Sequence, residues 1–452
     1  MTLELRPYQK EGVLKMLRFL AKQNACYLAD EMGVGKSPQF VEAARRLGAQ
    51  GILCVCPASV VIKNAREFDA WYPELKLSGK KILSCANKEV VAKIPFSSVV
   101  VISYERARGS ALPALMKRKW DLIIYDEAHY LKSTTAKRTI VCLNKLWPLA
   151  KRVIAVSGTP TPNGVIDGYS LFNKIAPAIF PNKYKYGFRY TNAEKNWFTG
   201  KYEFKGGRNL PELRSILFEN FMVRRLQKDV LSELPPILFS KIPVRINAAK
   251  EWNLPNYQVD ILKKAIEDGA PIHLSDHIST IRAGIGLSKI LPVWEHCRDI
   301  LESGEKKLII FAYHKSVIAA LKGAAVSAKY DCMVIDGSKS TSERSRIVEQ
   351  FQSEAIQTQQ VLIVQIVAGG IGIDLTAAKV CVFAELDWVP SNIAQCYKRL
   401  HRMGQEGRVQ VHYIIAADTL DDQISGALIS KARIINQILE PIKEEPAMEA
   451  QA

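Results

Sequence analysis

The chain has 452 residues, 48% hydrophobic and 24% charged, enough for about three domains of a folded, globular protein rather than a disordered one. Its 62 Lys and Arg exceed 45 Asp and Glu, a formal charge of +17 that points to a polyanion partner, nucleic acid before membrane. No window of about 18 residues is both apolar and uncharged, so no membrane helix is expected.

The first residues, MTLELRPYQKEG, carry Glu4 and no apolar core, unlike a secretory leader. Of nine cysteines only Cys54 and Cys56 are close, and there is no C-x-x-C pair. That excludes a disulfide framework and a structural zinc site, and it suits a reducing compartment. His273 and His277 have helical i, i+4 spacing but no second ligand pair, so they read as solvated helix residues.

In chain order, five short runs rich in Val, Ile and Cys come first, at 25–29, 51–56, 99–103, 122–125 and 153–157. Turn and helix signals separate them, which is the pattern of a parallel α/β sheet buried on both faces. The pattern returns at 308–312, 332–335, 361–365, 380–385 and 411–415. Between the two sets lie about 145 residues of different character. They open on a basic, aromatic stretch, 183–208, with Lys183, Tyr184, Lys185, Tyr186, Phe188, Arg189, Tyr190, Trp197, Phe198, Tyr202, Phe204 and Arg208. Residues 151–240 hold 14 Lys or Arg against 7 Asp or Glu. Helices are expected at 210–231, 256–267 and 277–303, with a linker at Leu234-Pro235-Pro236. Residues from 440 onward read as a frayed acidic tail.

Three stretches carry chemistry. After the first strand comes Asp30-Glu31-Met32-Gly33-Val34-Gly35-Lys36-Ser37, then a helix. Gly-x-Gly-Lys-Ser between strand and helix is a phosphate-binding loop, with Lys36 on the β/γ-phosphates and Ser37 on Mg²⁺. The general pattern wants glycine where Asp30 stands. Ninety residues on, an apolar strand ends in Asp126-Glu127-Ala128-His129, a DEAH box. Asp126 would hold Mg²⁺, and Glu127 would orient and deprotonate the attacking water. Near the far end, Gln395-Cys-Tyr-Lys-Arg399-Leu-His401-Arg402 places Arg399 and Arg402 on one helix face, as an arginine finger requires. ATP would then lie between two domains, and its hydrolysis would depend on the cleft closing.

These stretches resemble the motifs of superfamily-two helicase-like ATPases of the Swi/Snf type, in family order. The others are Leu5-Arg6-Pro7-Tyr8-Gln9, Ser157-Gly158-Thr159-Pro160, and Ala368-Gly369-Gly370-Ile371-Gly372-Ile373-Asp374. Asp30 is the usual residue in that family. The run Phe221–Pro235 resembles the basic helix that closes the first helical protrusion in this family. The runs Leu301–Gly304 with Ile310–Lys315, Ile335–Ser338, and Thr376–Ala378 with Val382–Leu386 resemble its annealing-helicase, or HepA-related, branch. Departures are Asp374 for Asn, Ser157 for Thr, and Ala65 for Trp.

The resemblance implies an α/β fold of two RecA-like lobes, 1–164 and 304–440. A basic helical protrusion at 165–233 and a linker with a second protrusion at 234–303 would lie between them, and a tail at 441–452 would follow. It implies ATP and Mg²⁺ as cofactors. Arg6, Tyr8 and Gln9 would surround the adenine. Glu31, Met32, Gly33, Val34, Gly35, Gly370, Gly372 and Asp374 would line the nucleotide site. Gly158, Thr159, Pro160, Gln395 and His401 would couple the lobes. DNA would meet Pro57, Ala58, Ser59, Ser103, Tyr104, Lys315, Gly337, Ser338, Ala368 and Gly369, and the basic Lys183, Lys185, Arg189, Arg208, Arg224 and Arg225.

Two activities use such a motor. One is a DNA-dependent ATPase that translocates on duplex and remodels branched DNA by fork regression, branch migration or annealing. The other displaces DNA-bound proteins. A chain without accessory modules favours the first. It is expected to act as a monomer, in the cytoplasm or nucleoid of a bacterial or virus-infected cell, or in a nucleus.

Overall fold

The short apolar runs become the strands of two parallel sheets. The computed structural model describes residues 4–77, 82–85, 99–196, 200–231, 233–246, 276–353, 355, 358–369, 373–423, 425, 426 and 428. In the first lobe the strands are β1 (Ala25–Leu28), β2 (Ile52–Cys56), β3 (Ile82–Cys85), β4 (Val99–Ser103), β5 (Trp120–Asp126) and β6 (Ala150–Val156). A two-stranded hairpin follows, β7 (Asn192–Lys195) with β8 (Tyr202–Lys205), then β9 (Met222–Val223). The first sheet has the order β3-β4-β2-β5-β6-β1-β9, every pair parallel.

Alternation along each strand feeds two cores. Leu53, Val55, Ile123 and Tyr125 face one cluster, while Ile52, Cys54, Leu122 and Ile124 face the other. Helices Pro7–Gln23, Lys36–Arg46 and Val61–Trp71 cover the second cluster through Met16, Phe40 and Phe68. The nine cysteines are all free; eight are buried and Cys332 is partly so.

The expected protrusion at 165–233 does not stand apart from this lobe. Phe172, Phe180, Tyr186, Leu213 and Leu217 join the first lobe's core. The helix expected over 210–231 ends at Asn220, because the apolar run Phe221-Met222-Val223 adds β9 beside β1. Tyr27 N–H donates to Phe221 O at 2.8 Å, and Ala29 N–H to Val223 O at 2.7 Å. An apolar run of that length fits helix or strand equally, and an open sheet edge settles it.

The second sheet has the order β10-β15-β14-β11-β13-β12, again all parallel. Its strands are β10 (Ile237–Val244), β11 (Lys307–Ala312), β12 (Asp331–Ile335), β13 (Gln360–Gln365), β14 (Val380–Phe383) and β15 (Val409–Ala416). The stretch expected to be linker and second protrusion therefore begins as a strand of this sheet, paired with β15 over its whole length. The helix expected over 277–303 is two helices, Asp276–Ser288 and Ile290–Glu302. At the break, Lys289 is buried; its ammonium donates to Ile414 O at 2.9 Å and pairs with Asp421. Ile281 and Ile285 pack on one face of the sheet, and Val293 and Trp294 on the other. The helix expected at 256–267 and the tail at 441–452 lie outside the described residues.

Phe172 tests the shared core of the first lobe. Its ring meets Tyr27, Phe180, Tyr186 and Phe221 at centroid distances of 6.2, 6.0, 6.4 and 5.7 Å. Phe172→Ala should cost about 3–5 kcal/mol in denaturant unfolding. A cost under about 1 kcal/mol would contradict the core drawn above.

Candidate nucleotide site and nucleic-acid interface

In a parallel sheet the loops at the carboxyl ends of the strands form the site. β1 leads into 30–37, where Gly33 (φ +82°) and Gly35 (φ +76°) adopt the left-handed conformation open to glycine. Such a turn lets successive N–H groups converge on an anion, and helix Lys36–Arg46, with Ser37 in its first turn, begins there. Lys36 Nζ donates to Asp30 O at 3.1 Å and Glu31 O at 3.2 Å. Burial pushes its ammonium down, against the pull of Glu127, Asp30 and Asp126. Tyr8 and Gln9 brace the loop, donating to Val34 O at 3.0 and 3.2 Å. Arg6 N–H donates to Gln9 Oε1 at 2.9 Å, and the Arg6 side chain pairs with Glu233.

β5 ends in the two carboxylates. Asn64 Nδ2 donates to Asp126 Oδ2 at 2.8 Å, and Glu127 N–H to Asp126 Oδ1 at 3.0 Å. Glu127 has φ +51°, a strained value for a residue with a side chain. Burial and the neighbouring Glu127 push the Asp126 carboxyl up. Burial works on Glu127 too, but the hydrogen bond and charge of His129, with Lys36 and Arg399, hold it below its ordinary value. His129 Nδ1 lies 3.2 Å from Glu127 Oε2 and 2.8 Å from Ser157 Oγ. Thr159 N–H donates to Ser157 Oγ at 3.1 Å, so the Ser157–Pro160 turn is tied to the carboxylates. Gly158 fits against the phosphate loop: a Cβ there would lie 3.1 Å from Met32 Cγ.

The second lobe closes the cleft. Arg399 is buried, and its guanidinium is pushed down to about 10 by burial and by Arg402. Arg402 Cβ lies 3.4 Å from where a Cβ of Gly33 would stand, and its guanidinium is 3.5 Å from Asp374. Gln227 holds the lobes together. Its N–H donates to Glu31 Oε2 at 2.7 Å, and its Nε2 to His401 O at 2.8 Å. Its Oε1 accepts from Lys398 and lies 3.0 Å from His401 Nδ1. Lys398 also pairs with Glu31 at 3.1 Å. Gln395 is buried on helix Pro390–Tyr397, which ends before Arg399, so the two arginines expected on one helix face stand instead on the turns that follow it. Lys36, Asp126 and Glu127 thus face Arg399 and Arg402 across one cleft.

Residues 8–296 match the SNF2-related domain, and residues 292–404 the helicase conserved C-terminal domain. The chain belongs to the SNF2-related family. The mouse protein named DNA annealing helicase and endonuclease ZRANB3 is 34% identical over 98% of this chain and 41% of its own length. The Caenorhabditis elegans protein named SWI/SNF-related matrix-associated actin-dependent regulator of chromatin subfamily A-like protein 1 homolog is 32% identical over 96% of this chain and 62% of its own. The chain thus spans about two fifths to three fifths of the curated relatives' length. The Sulfolobus solfataricus SWI2/SNF2 ATPase core in complex with dsDNA aligns with 97% of this chain and 98% of that one, at 19% identity and TM-score 0.44.

The residues expected to meet DNA divide into three groups in this SNF2-related chain. Ala58, Lys315, Gly337 and Ser338 are exposed at the carboxyl ends of β2, β11 and β12, with Ser59 partly exposed and Pro57 buried beside them. Ala368 and Gly369 belong to the short helix after β13, and Gly370 and Gly372 lie outside the described residues. Lys183, Lys185, Arg189 and Arg208 are exposed on the 183–208 stretch. Four others are corrected. Ser103 is buried and caps the next turn through Arg106 N–H. Tyr104 is buried, stacked on Tyr130 at 5.6 Å, and donates to Asp126 O. Arg225 pairs with buried Asp30 and donates to Tyr8 O, while Arg224 donates to Ala29 O at 2.6 Å and Gly158 O at 3.1 Å. Both arginines brace the nucleotide loop: Arg225 because a buried Asp30 demands a cation, and Arg224 by donating to the backbone of Ala29 and Gly158.

Sequence reasoning gave no role to Asn64, Gln227 and Glu385, and it read Gln365 only as the start of a phosphate-touching stretch, Gln365–Gly369. Gln365 ties two loops of the second sheet, accepting from Gly337 N–H at 3.0 Å and donating to Tyr313 O at 3.1 Å. Glu385 accepts from the N–H groups of Tyr313 and His314 at 2.8 and 2.9 Å, and lies 2.7 Å from His314 Nδ1. No sequence signal separates such buried amides and carboxylates from surface ones. Among the described residues no group of three His, Cys, Asp or Glu could hold a metal, and no helix is long and apolar enough to cross a membrane.

Asn64 acts on Asp126 from behind. If Asp126 holds Mg²⁺, Asn64→Ala should raise the Mg²⁺ concentration for half-maximal hydrolysis about 10–100-fold. An unchanged Mg²⁺ requirement would contradict that role.

Proposed function

We propose that this chain is a DNA-dependent ATPase that translocates on double-stranded DNA and remodels branched DNA, by fork regression, branch migration or annealing. The convergence of Lys36, Asp126 and Glu127 from one lobe with Arg399 and Arg402 from the other carries this reading. The donor set suits ATP and Mg²⁺: left-handed glycines and a helix N-terminus for phosphate, and an oriented carboxylate for a hard cation. Bound ATP and Mg²⁺ supply the phosphoanhydride and its charge neutralisation.

Lys36 and the loop N–H groups bind the phosphates. Glu127, held ionised by His129, Lys36 and Arg399, orients the attacking water and accepts its proton at a carboxylate oxygen. Arg399 and Arg402 neutralise charge as the bond breaks, provided the lobes are closed. Gln227, Lys398 and His401 make closure a set of defined hydrogen bonds. The carboxyl-edge loops around Ala58, Ser59, Lys315 and Gly337–Ser338 then grip phosphates without reading bases. The relatives' names, annealing helicase among them, support branched DNA as the substrate.

ATPase rates with single-stranded, linear duplex, forked and four-way DNA test this. Stimulation should be greatest with branched DNA. Equal rates on linear and branched duplex would remove the branch preference, and no stimulation by any DNA would remove the motor reading. Lys36→Ala and Arg402→Ala should each lower hydrolysis about 1,000-fold or more while DNA binding stays within about threefold. Loss of DNA binding in both would misplace the site.

A further inference from the structure

Aromatic residues stand at every second position of helix Lys183–Tyr190: Tyr184, Tyr186, Phe188 and Tyr190. At about 100° per residue, neighbours two apart lie on opposite faces and those four apart share one. The helix therefore sorts its rings into two pairs. Tyr186 and Tyr190 turn inward; both are buried and pack on Phe180 at 5.4 and 6.3 Å. Tyr186 Oη donates to Val165 O at 2.9 Å, and Tyr190 Oη to Glu212 at 2.9 Å. Tyr184 and Phe188 turn outward and remain 56% and 45% exposed.

The outward pair meets the hairpin. Phe188 lies 4.8 Å from Tyr202 and 5.7 Å from Phe204, and Tyr184 lies 5.8 Å from Phe204, all edge to face. Gly187 permits this approach, because a Cβ there would fall 2.3 Å from the Phe204 ring. Tyr202 is 42% exposed. None of these rings stacks in parallel on another, so the packed cluster still presents aromatic surface to solvent. Lys183 and Lys185 flank Tyr184, Lys201 precedes Tyr202, and all three are exposed. Glu203 and Glu194 pair with Lys205, and Glu212 with Arg189.

We propose that Tyr184, Phe188 and Tyr202 form a binding site for unpaired nucleobases, with the neighbouring lysines holding the adjoining phosphates. The charge selects the class. A protein interface built on aromatics is depleted of lysine at its centre, whereas a single-strand site interleaves cations with rings. Bases inside a duplex have both faces covered by their neighbours, so the ligand is single-stranded DNA, such as the arm of a branch. The site rests on the DNA reading above and gives it a reason to prefer branched over linear substrates.

Fluorescence anisotropy of the full chain tests it with three labelled probes: an oligo(dT) strand, a blunt duplex, and that duplex ending in two oligo(dT) arms. Replacing the three rings together by Tyr184→Leu, Phe188→Leu and Tyr202→Leu keeps an apolar surface but removes the π faces. Affinity for oligo(dT) and for the armed duplex should fall about tenfold or more, with blunt-duplex affinity within about twofold of wild type. The aromatic exchange Tyr184→Phe, Phe188→Tyr and Tyr202→Phe should keep wild-type binding. Tyr184→Leu alone, at the most exposed ring, should show the same selective loss in smaller degree if the triple variant unfolds. Unchanged oligo(dT) binding in the leucine variants would overturn the proposal and point to a protein partner. Equal loss on blunt duplex, or no wild-type binding of oligo(dT), would overturn it as well. Failure of the motor reading shows separately, as wild-type ATPase that no DNA stimulates, whatever the anisotropy result.

Discussion

Two adjacent carboxylates, Asp126 and Glu127, end a buried strand, and the protein must balance them. Bringing like charges together in a low-dielectric site is costly unless cations converge on it. No single segment supplies enough. Lys36 comes from the loop after β1 and His129 from the turn after β5, while Arg399 comes from the other lobe. The electrostatic requirement of one strand end therefore ties together two lobes through residues, Glu127 and Arg399, more than 250 positions apart in sequence. Gln227 makes the tie directional, because its backbone N–H donates to Glu31 while its side-chain amide donates to His401 O.

The parallel order of the sheets divides the labour. In the first sheet β1, β5 and β6 sit together, and their carboxyl ends carry the phosphate loop, the carboxylates and the Ser157–Pro160 turn. The carboxyl end of β2, next in the sheet, carries Pro57–Ser59. In the second sheet Gln365 and Glu385 fasten the ends of β11, β12 and β14 to one another. A shift of the second lobe on the nucleotide would thus move Lys315 and Ser338 as one body. In the proposed motor this is the physical route by which a change at the cleft would reach the loops assigned to DNA.

Much of this was legible in the sequence. The ten strands read from Val, Ile and Cys runs are all present; most are buried on both faces, where a strand has little choice of residue, and β12 at the sheet edge is the more exposed exception. β10 escaped notice: its residues are half exposed, and it follows Pro235 and Pro236 and contains Pro243, all of which read as linker. The phosphate loop and DEAH box were legible because their chemistry admits few residue types. Arg224 and Arg225 were read as DNA contacts because an arginine's sequence position does not reveal its depth. The missing inference was that Asp30, at the end of a buried strand, would need a cation. Tyr104 was misread in the same way, since the ring it stacks on, the partly buried Tyr130, is 26 residues distant. On helix Lys183–Tyr190 the two-residue aromatic spacing contained the answer, one pair inward and one outward, once the hairpin fixed which face was which.

The proposed function requires that the arginines act on the nucleotide held by their own chain. Mixing equal amounts of the Lys36→Ala and Arg402→Ala proteins measures this directly, since each retains what the other lacks. The expected result is a mixture as inactive in DNA-stimulated ATP hydrolysis as either variant alone, at every concentration. Recovery of hydrolysis on mixing would mean that the arginines serve a neighbouring copy, and would contradict a cleft completed within one chain.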